Sequence, residues 1–346
     1  MYESDTSTVT TALQSSSTAV FTDDTISKIL ALTTVDNATV RFDTVTPDAS
    51  GVVTVASGAE VVLISSSDTT QTTLTPPSNA PVVIFQGKGG VITTLNDGPS
   101  TVPAHAAGIT DRVVVGSSGN DSIVISDNKN TLLTLGTGNS TVIAGAGSDT
   151  VVAGLGNSTI AGGTGHAIVD MAGNASDYTV SVAGGHAVVT QNDSGLVTDI
   201  SKIQFVQLDD GESLVFAKDS AQAAVSTLYS AAFGRDADGG GIKFYFDAAN
   251  QGVSLKQIAE FFLSSPEYQA MAAQTDAQFI SNLYQNTFAR AGDADGVAFW
   301  TNALASGLSR ADLLMNFVSV AAHNLDGVLN TEATVVGTVT IVHNIV

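Results

Sequence analysis

The sequence predicts a multidomain β-plus-α protein: an N-terminal β-rich domain, a degenerate parallel β-roll or β-solenoid, and an internally duplicated all-α domain. Three observations predict it. Short runs of β-branched residues bounded by Gly, Pro, Asn and Asp fill the first third of the chain. A glycine-x-glycine pair then recurs every nine residues between Leu135 and Asp170. Beyond Asp219 the hydrophobic period changes from two to 3.6, and the new pattern occurs twice with an offset of 55 residues. The 346 residues leave room for each part to bury a core of its own.

Residues 1–111 are rich in Thr, Ser and Val. Runs such as GVVTVASGAEVVLIS (51–65) and APVVIFQGKGGVITTL (80–95) read as strands, with TPPSNAP (75–81) as a turn or linker. The expectation is an all-β domain, sandwich or solenoid-like.

Residues 112–217 continue as strands. From Leu135, four contiguous nonamers fit the frame x-G-x-G-x-z-x-U-x, with Val142, Val151, Ile160 and Val169 at U. GSSGNDSIV (116–124) fits one residue out of phase, and SDNKNTLLT (126–134) fits loosely with Leu133 at U. Such a period predicts stacked turns of short parallel strands, with the glycines supplying tight left-handed bends. The stretch 178–217 reads as a β-meander that caps the open end.

The frame resembles the hemolysin-type (RTX) repeat, G-G-x-G-x-D-x-U-x. The resemblance implies a calcium-loaded parallel β-roll in a protein exported by type I secretion. It also implies that an Asp at the sixth position binds Ca²⁺ between turns two repeats apart. The sixth positions here are Asp121, Thr131, Ser140, Asp149, Ser158 and Ala167. Alternate repeats share an edge, so Asp121, Ser140 and Ser158 stack on one side, and Thr131, Asp149 and Ala167 on the other. Asp121 and Asp149 are the metal candidates of the roll. No same-side neighbours supply two carboxylates, so any Ca²⁺ site is weaker than in a full roll. The other reading is a roll held by aliphatic stacking and by Ser, Thr and Asn hydrogen bonds at its turns.

Residues 218–327 hold the duplication: VSTLYSAAFGRDADGGGIKFYFDAANQGVSLKQIAEFF (225–262) aligns with ISNLYQNTFARAGDADGVAFWTNALASGLSRADLLMNF (280–317). Val225, Leu228, Tyr229 and Phe233, then Ile280, Leu283, Tyr284 and Phe288, mark one buried helix face per copy. An aromatic second helix and a third helix capped by Ser254 or Ser309 complete each copy. Their L-Y-x-x-x-F-x-R and G-x-x-F-[YW] elements look like the phycobilisome-linker-like domain of unknown function that accompanies RTX repeats in secreted and surface-layer proteins of Gram-negative bacteria. No chemistry comes with that resemblance.

The acidic loops between first and second helices invite a metal reading. Asp236, Asp238 and Asp247 fall at positions 1, 3 and 12 of an EF-hand-like loop, and Asp293 and Asp295 at positions 3 and 5 of its counterpart. Neither loop has the Glu at position 12, and Asp and Gly equally suit a turn that caps the next helix. Ca²⁺ is thus the candidate cofactor of both regions.

Residues 328–346 end in NTEATVVGTVTIVHNIV (330–346), read either as a C-terminal type I secretion signal or as an edge strand. The start of the chain lacks the basic and apolar regions of a signal peptide, and no window holds the ~18 apolar residues of a spanning helix. The expected location is extracellular or at the cell surface, by export without an N-terminal signal peptide.

Twelve Lys and Arg stand against 33 Asp and Glu, a formal charge of −21, which argues against nucleic acid and anionic membrane partners. Cysteine is absent, which removes disulfides and thiol chemistry. The five His lie outside metal-ligand spacing of one another, and no nucleophile elbow, phosphate loop or H-E-x-x-H motif occurs. The protein is therefore read as a non-enzyme. The expected function is a secreted structural protein whose partners are copies of itself, assembling as a surface layer, sheath or tubule. The alternative is an adhesin or matrix protein binding cell-surface polysaccharide or another surface.

Overall fold

The computed structural model describes residues 2–15, 21–33, 39–78, 80–96, 110–183, 186–203, 205–209, 213–217, 220–234, 244–245, 248–249, 252–271, 274–323, 334–336 and 339–343. The chain forms two compact units. One comprises Met1–Ala172, Asp177–Val180 and His186–Ile203, and the other Gly173–Ser176, Ser181–Gly185 and Gln204–Val346.

The first unit is a two-sheet parallel solenoid. After β1 (Tyr2–Asp5) and β2 (Thr39–Val45), strands alternate between the sheets. Sheet one receives β3 (Val61–Ser65), β5 (Val82–Gln86), β7 (Arg112–Val115), β9 (Thr131–Thr134), β11 (Ser148–Val152) and β13 (His166–Asp170). Sheet two receives β4 (Thr72–Thr73), β6 (Val91–Leu95), β8 (Ser122–Ile125), β10 (Ser140–Ile143) and β12 (Ser158–Ala161), and beyond β12 the sheet order continues with β16 (Val197–Ser201), β15 (His186–Gln191) and β14 (Tyr178–Ala183). The register pairs Ser140 with Ser158 and Asp149 with Ala167, so two nonamers make one turn. Pairs such as Ile84 with Val115 and Leu95 with Ile125 carry both sheets across position 111.

Alternation along each strand sends one row of side chains between the sheets. In sheet one these are Val62, Val83, Val114, Leu133, Val151 and Val169, each at most 1% exposed. Facing them are Ile123, Val142, Ile160 and Ile200, which are likewise buried. Every residue assigned to U therefore faces the core, each burial contributing roughly 1.5–3 kcal/mol.

The repeat glycines act differently from the expectation. From Gly136 to Gly165, all of them described, none has positive φ. Their role is close approach: a Cβ on Gly138 would run into the Gly119 carbonyl oxygen, and one on Gly156 into that of Gly138. The missing side chain lets one turn lie directly on the next.

The first residues depart from the all-β expectation. Thr6–Gln14 forms α1 and Asp23–Thr33 forms α2. Asp5 caps α1 by accepting a hydrogen bond from Thr8 N at 2.9 Å. Val9 and Ile29 join Val40, Phe42, Val61, Val82, Ile84, Val113 and Val115 in one buried cluster on the outer face of sheet one. That face is apolar and needs cover, and burying it outweighs the poor helix propensity of a Thr-rich segment. Among the described residues no helix covers sheet two: Ile92 and Ile143 are 39% and 45% exposed, and Thr94, Thr141 and Thr159 are exposed beside them.

In the second unit β17 (Phe205–Gln207) pairs antiparallel with β18 (Ser213–Ala217). The C-terminal hairpin of β19 (Thr334–Val336) and β20 (Val339–His343) joins it, with β20 parallel to β18. The helices are α3 (Ser220–Phe233), α4 (Leu255–Ser264), α5 (Pro266–Ala270), α6 (Asp276–Phe288), α7 (Ala294–Ala305) and α8 (Arg310–His323). Equivalent residues of the two copies share one core: Leu228 and Leu283, Ile258 and Leu313, Phe262 and Phe317 are all buried. Tyr229 meets Phe262 edge-on at 4.6 Å, and Tyr284 meets Phe317 at 4.9 Å. Ser254 and Gln257 form the expected capping box, and Ser309 Oγ accepts from Asp312 N at 3.1 Å. No described helix is long and apolar enough to cross a membrane.

Candidate functional site

The two edges of the roll carry the sixth-position residues. Turns leading into sheet two form the first edge, and turns leading into sheet one form the second. Parallel pairing stacks Asp121, Ser140 and Ser158 on the first edge and Thr131, Asp149 and Ala167 on the second, as the nine-residue frame predicts.

At the first edge Asp121 is 3% exposed. Its Oδ1 accepts from Val91 N at 2.9 Å and Ser117 Oγ at 2.6 Å, and its Oδ2 from Ser117 N at 2.8 Å. Burial raises its pKa, and these donors oppose the rise. One position earlier runs a ladder of asparagines. Asn120 Oδ1 accepts from Asn139 N at 2.8 Å, Asn139 Oδ1 from Asn157 N at 2.9 Å, and Asn157 Oδ1 from Val197 N at 2.9 Å. Each amide oxygen thereby satisfies a backbone N–H of the next turn.

At the second edge Asp149 is 1% exposed. Its Oδ2 accepts from Gly145 N at 2.7 Å and its Oδ1 from Thr131 N at 3.1 Å. Burial pushes its pKa up to about 6, the two N–H donors and Arg112 pull it down, and Asp127 adds to the rise. Arg112 and Asp127 are themselves buried and form a bidentate pair, Nη1 to Oδ2 at 2.9 Å and Nη2 to Oδ1 at 3.1 Å. Nη2 also donates to Thr131 Oγ1 at 2.8 Å. Asp111 Oδ2 accepts from Asn130 N at 2.9 Å, and Asn130 Oδ1 from Ser148 N at 2.8 Å, extending the ladder principle to this side.

A calcium cage needs six to eight converging oxygen ligands. Here the carboxylates of Asp121 and Asp149 converge on N–H and O–H donors, the opposite arrangement. Among the described residues no group of three or more His, Asp or Glu is placed to hold a metal ion. The described turns thus do not present the donor set of a filled RTX site.

In the second unit Asp293 caps α7, its Oδ1 accepting from Gly296 N at 2.7 Å, and Asp295 lies in the first turn of that helix. Both positions suit the positive end of the helix dipole. Asp236, Asp238 and Asp247 lie outside the described residues. The aromatic pairs split: Tyr245 packs on Phe262 and Trp300 on Phe317, while Phe244 and Phe299 are 64% and 62% exposed.

Arg112, Asp127 and the asparagine ladder did not emerge from the sequence. For the ladder a signal exists, since Asn120, Asn139 and Asn157 each directly precede the sixth position. Arg112 stands before the first recognisable nonamer, and Asp127 occupies a glycine position in the loosest one.

Comparison with known families agrees with these two halves. The model of the RTX calcium-binding nonapeptide repeat, in four copies, matches residues 127–166. The model of a domain of unknown function, DUF4214, matches residues 215–272 and again 259–322, reproducing the duplication. No curated protein and no solved structure matches the chain. RTX nonapeptide repeats bind Ca²⁺, and they point to a secreted protein using type I secretion.

Proposed function

We propose that this is a secreted structural protein of the cell exterior, which assembles with copies of itself into a surface layer, sheath or tubule. The observation that carries the reading is the outer face of sheet two. Ile92, Thr94, Val124, Thr141, Ile143, Thr159 and Ala161 line it from β6 to β12 without a charge, in a chain whose net charge is −21. An uncharged, partly apolar face of this kind suits packing against another chain. Calcium of the repeat class would assist assembly by bridging acidic surfaces. No catalytic step belongs to this reading.

The alternative, an adhesin for carbohydrate, draws on Phe244 and Phe299, exposed at equivalent places in the two copies. Exposed rings are what a sugar face stacks on. Electron microscopy of the purified full chain, in millimolar calcium and in chelator, separates the two. Ordered sheets, tubes or filaments support assembly, and a monodisperse monomer under every condition refutes it.

A further inference from the structure

We infer that Arg112 takes the place of a divalent cation at the second edge of the roll, closing that edge with a positive charge carried by the chain itself. The guanidinium starts from the first residue of β7 and reaches the next turn on the same edge. There it meets both oxygens of Asp127 and the hydroxyl of Thr131. Thr131 occupies the sixth position of its nonamer, where the RTX frame has its Asp, and its backbone N–H holds Asp149 of the turn beyond. The planar cation thus ties its own turn to the next through Asp127 and Thr131, the span an ion bound between two turns would bridge, and the Thr131 N–H carries the tie on to Asp149 one turn further.

Burial makes the charge indispensable. Arg112, Asp127 and Asp149 are 3%, 6% and 1% exposed, and isolated ions at such depth are strongly disfavoured. A bidentate guanidinium satisfies Asp127 with directed hydrogen bonds, which a spherical ion does not require. Asp149 receives two backbone N–H donors instead. The edge is therefore complete without an ion, and the guanidinium fills the ground on which oxygen ligands would have to converge.

The test compares full-length wild type, Arg112→Ala, Arg112→Lys and the double variant R112A/D127N, each melted in chelator and in millimolar calcium. Removing the guanidinium leaves two buried carboxylates without their cation. R112A is expected to melt several degrees below wild type in chelator and to regain much of that loss in calcium. Its calcium-induced rise should exceed that of wild type, and R112A/D127N should lose the excess. R112K keeps a cation at the edge and should respond to calcium as wild type does. An R112A protein that melts equally in calcium and chelator, or that is unfolded in both, overturns the inference. So does a calcium response in R112A/D127N as large as in R112A.

Discussion

At the first edge of the roll, one buried carboxylate, Asp121, sits among three hydrogen-bond donors beside a ladder of neutral asparagines. At the second edge, two buried carboxylates, Asp127 and Asp149, share the neighbourhood of one guanidinium. Both edges stack turns of the same nine-residue repeat between the same two sheets, so the repeat alone does not account for the difference. Charge count does. One buried carboxylate is stabilised by converging N–H and O–H dipoles, whereas a second within reach demands a full positive charge.

The largest effect expected from this contrast follows from Asp127→Ala. It strands Arg112 in the interior and should cost about 3–5 kcal/mol, read from urea denaturation. A loss under about 1 kcal/mol would mean that the second edge is no more dependent on charge than the first.

Asp149→Asn sharpens the comparison through pH. The folded-state pKa of Asp149 lies above its ordinary value, at about 6, so the folded protein holds a proton there that the unfolded chain has released. Its contribution to stability is full below the unfolded pKa and is lost as pH rises through about 6. Arg112 and Asp127 are the ionisable groups that face it, the first lowering and the second raising its pKa. Wild type should lose on the order of 2 kcal/mol relative to the Asn variant between pH 4 and pH 7, in line with about 1.4 kcal/mol per pKa unit. Equal pH profiles for the two proteins would remove Asp149 from the account.

The smallest effect belongs to the first edge. Asn139→Ala deletes the acceptor for Asn157 N and should cost about 1 kcal/mol, without any change in calcium or pH response. A calcium-dependent loss in that variant would show that the ladder, too, works with an ion.

Much of the roll was legible because its period is strict. The aliphatic U positions and the two-repeat stacking follow from counting, and the structure places Val142, Val151, Ile160 and Val169 in the core accordingly. What escaped depends on distance in sequence. Arg112 pairs with Asp127 across 15 residues and touches Thr131 across 19, and no local pattern links them. The N-terminal helices escaped because Thr-rich segments favour strands until an apolar sheet face recruits them. In the helical unit, spacing identified the aromatic pairs, yet a two-ring motif does not say which ring turns inward. The structure turns Tyr245 and Trp300 to the core and leaves Phe244 and Phe299 outside.

The central claim is that the turns of this roll are closed by groups of the chain itself. Hydrogen exchange at the backbone amides of Val91, Ser117, Thr131 and Gly145 tests it most directly, since each donates to a buried carboxylate. In the full-length protein these amides should be as protected in chelator as in millimolar calcium. Exchange at the rate of an unfolded chain in chelator, with protection appearing only when calcium is added, would contradict the account.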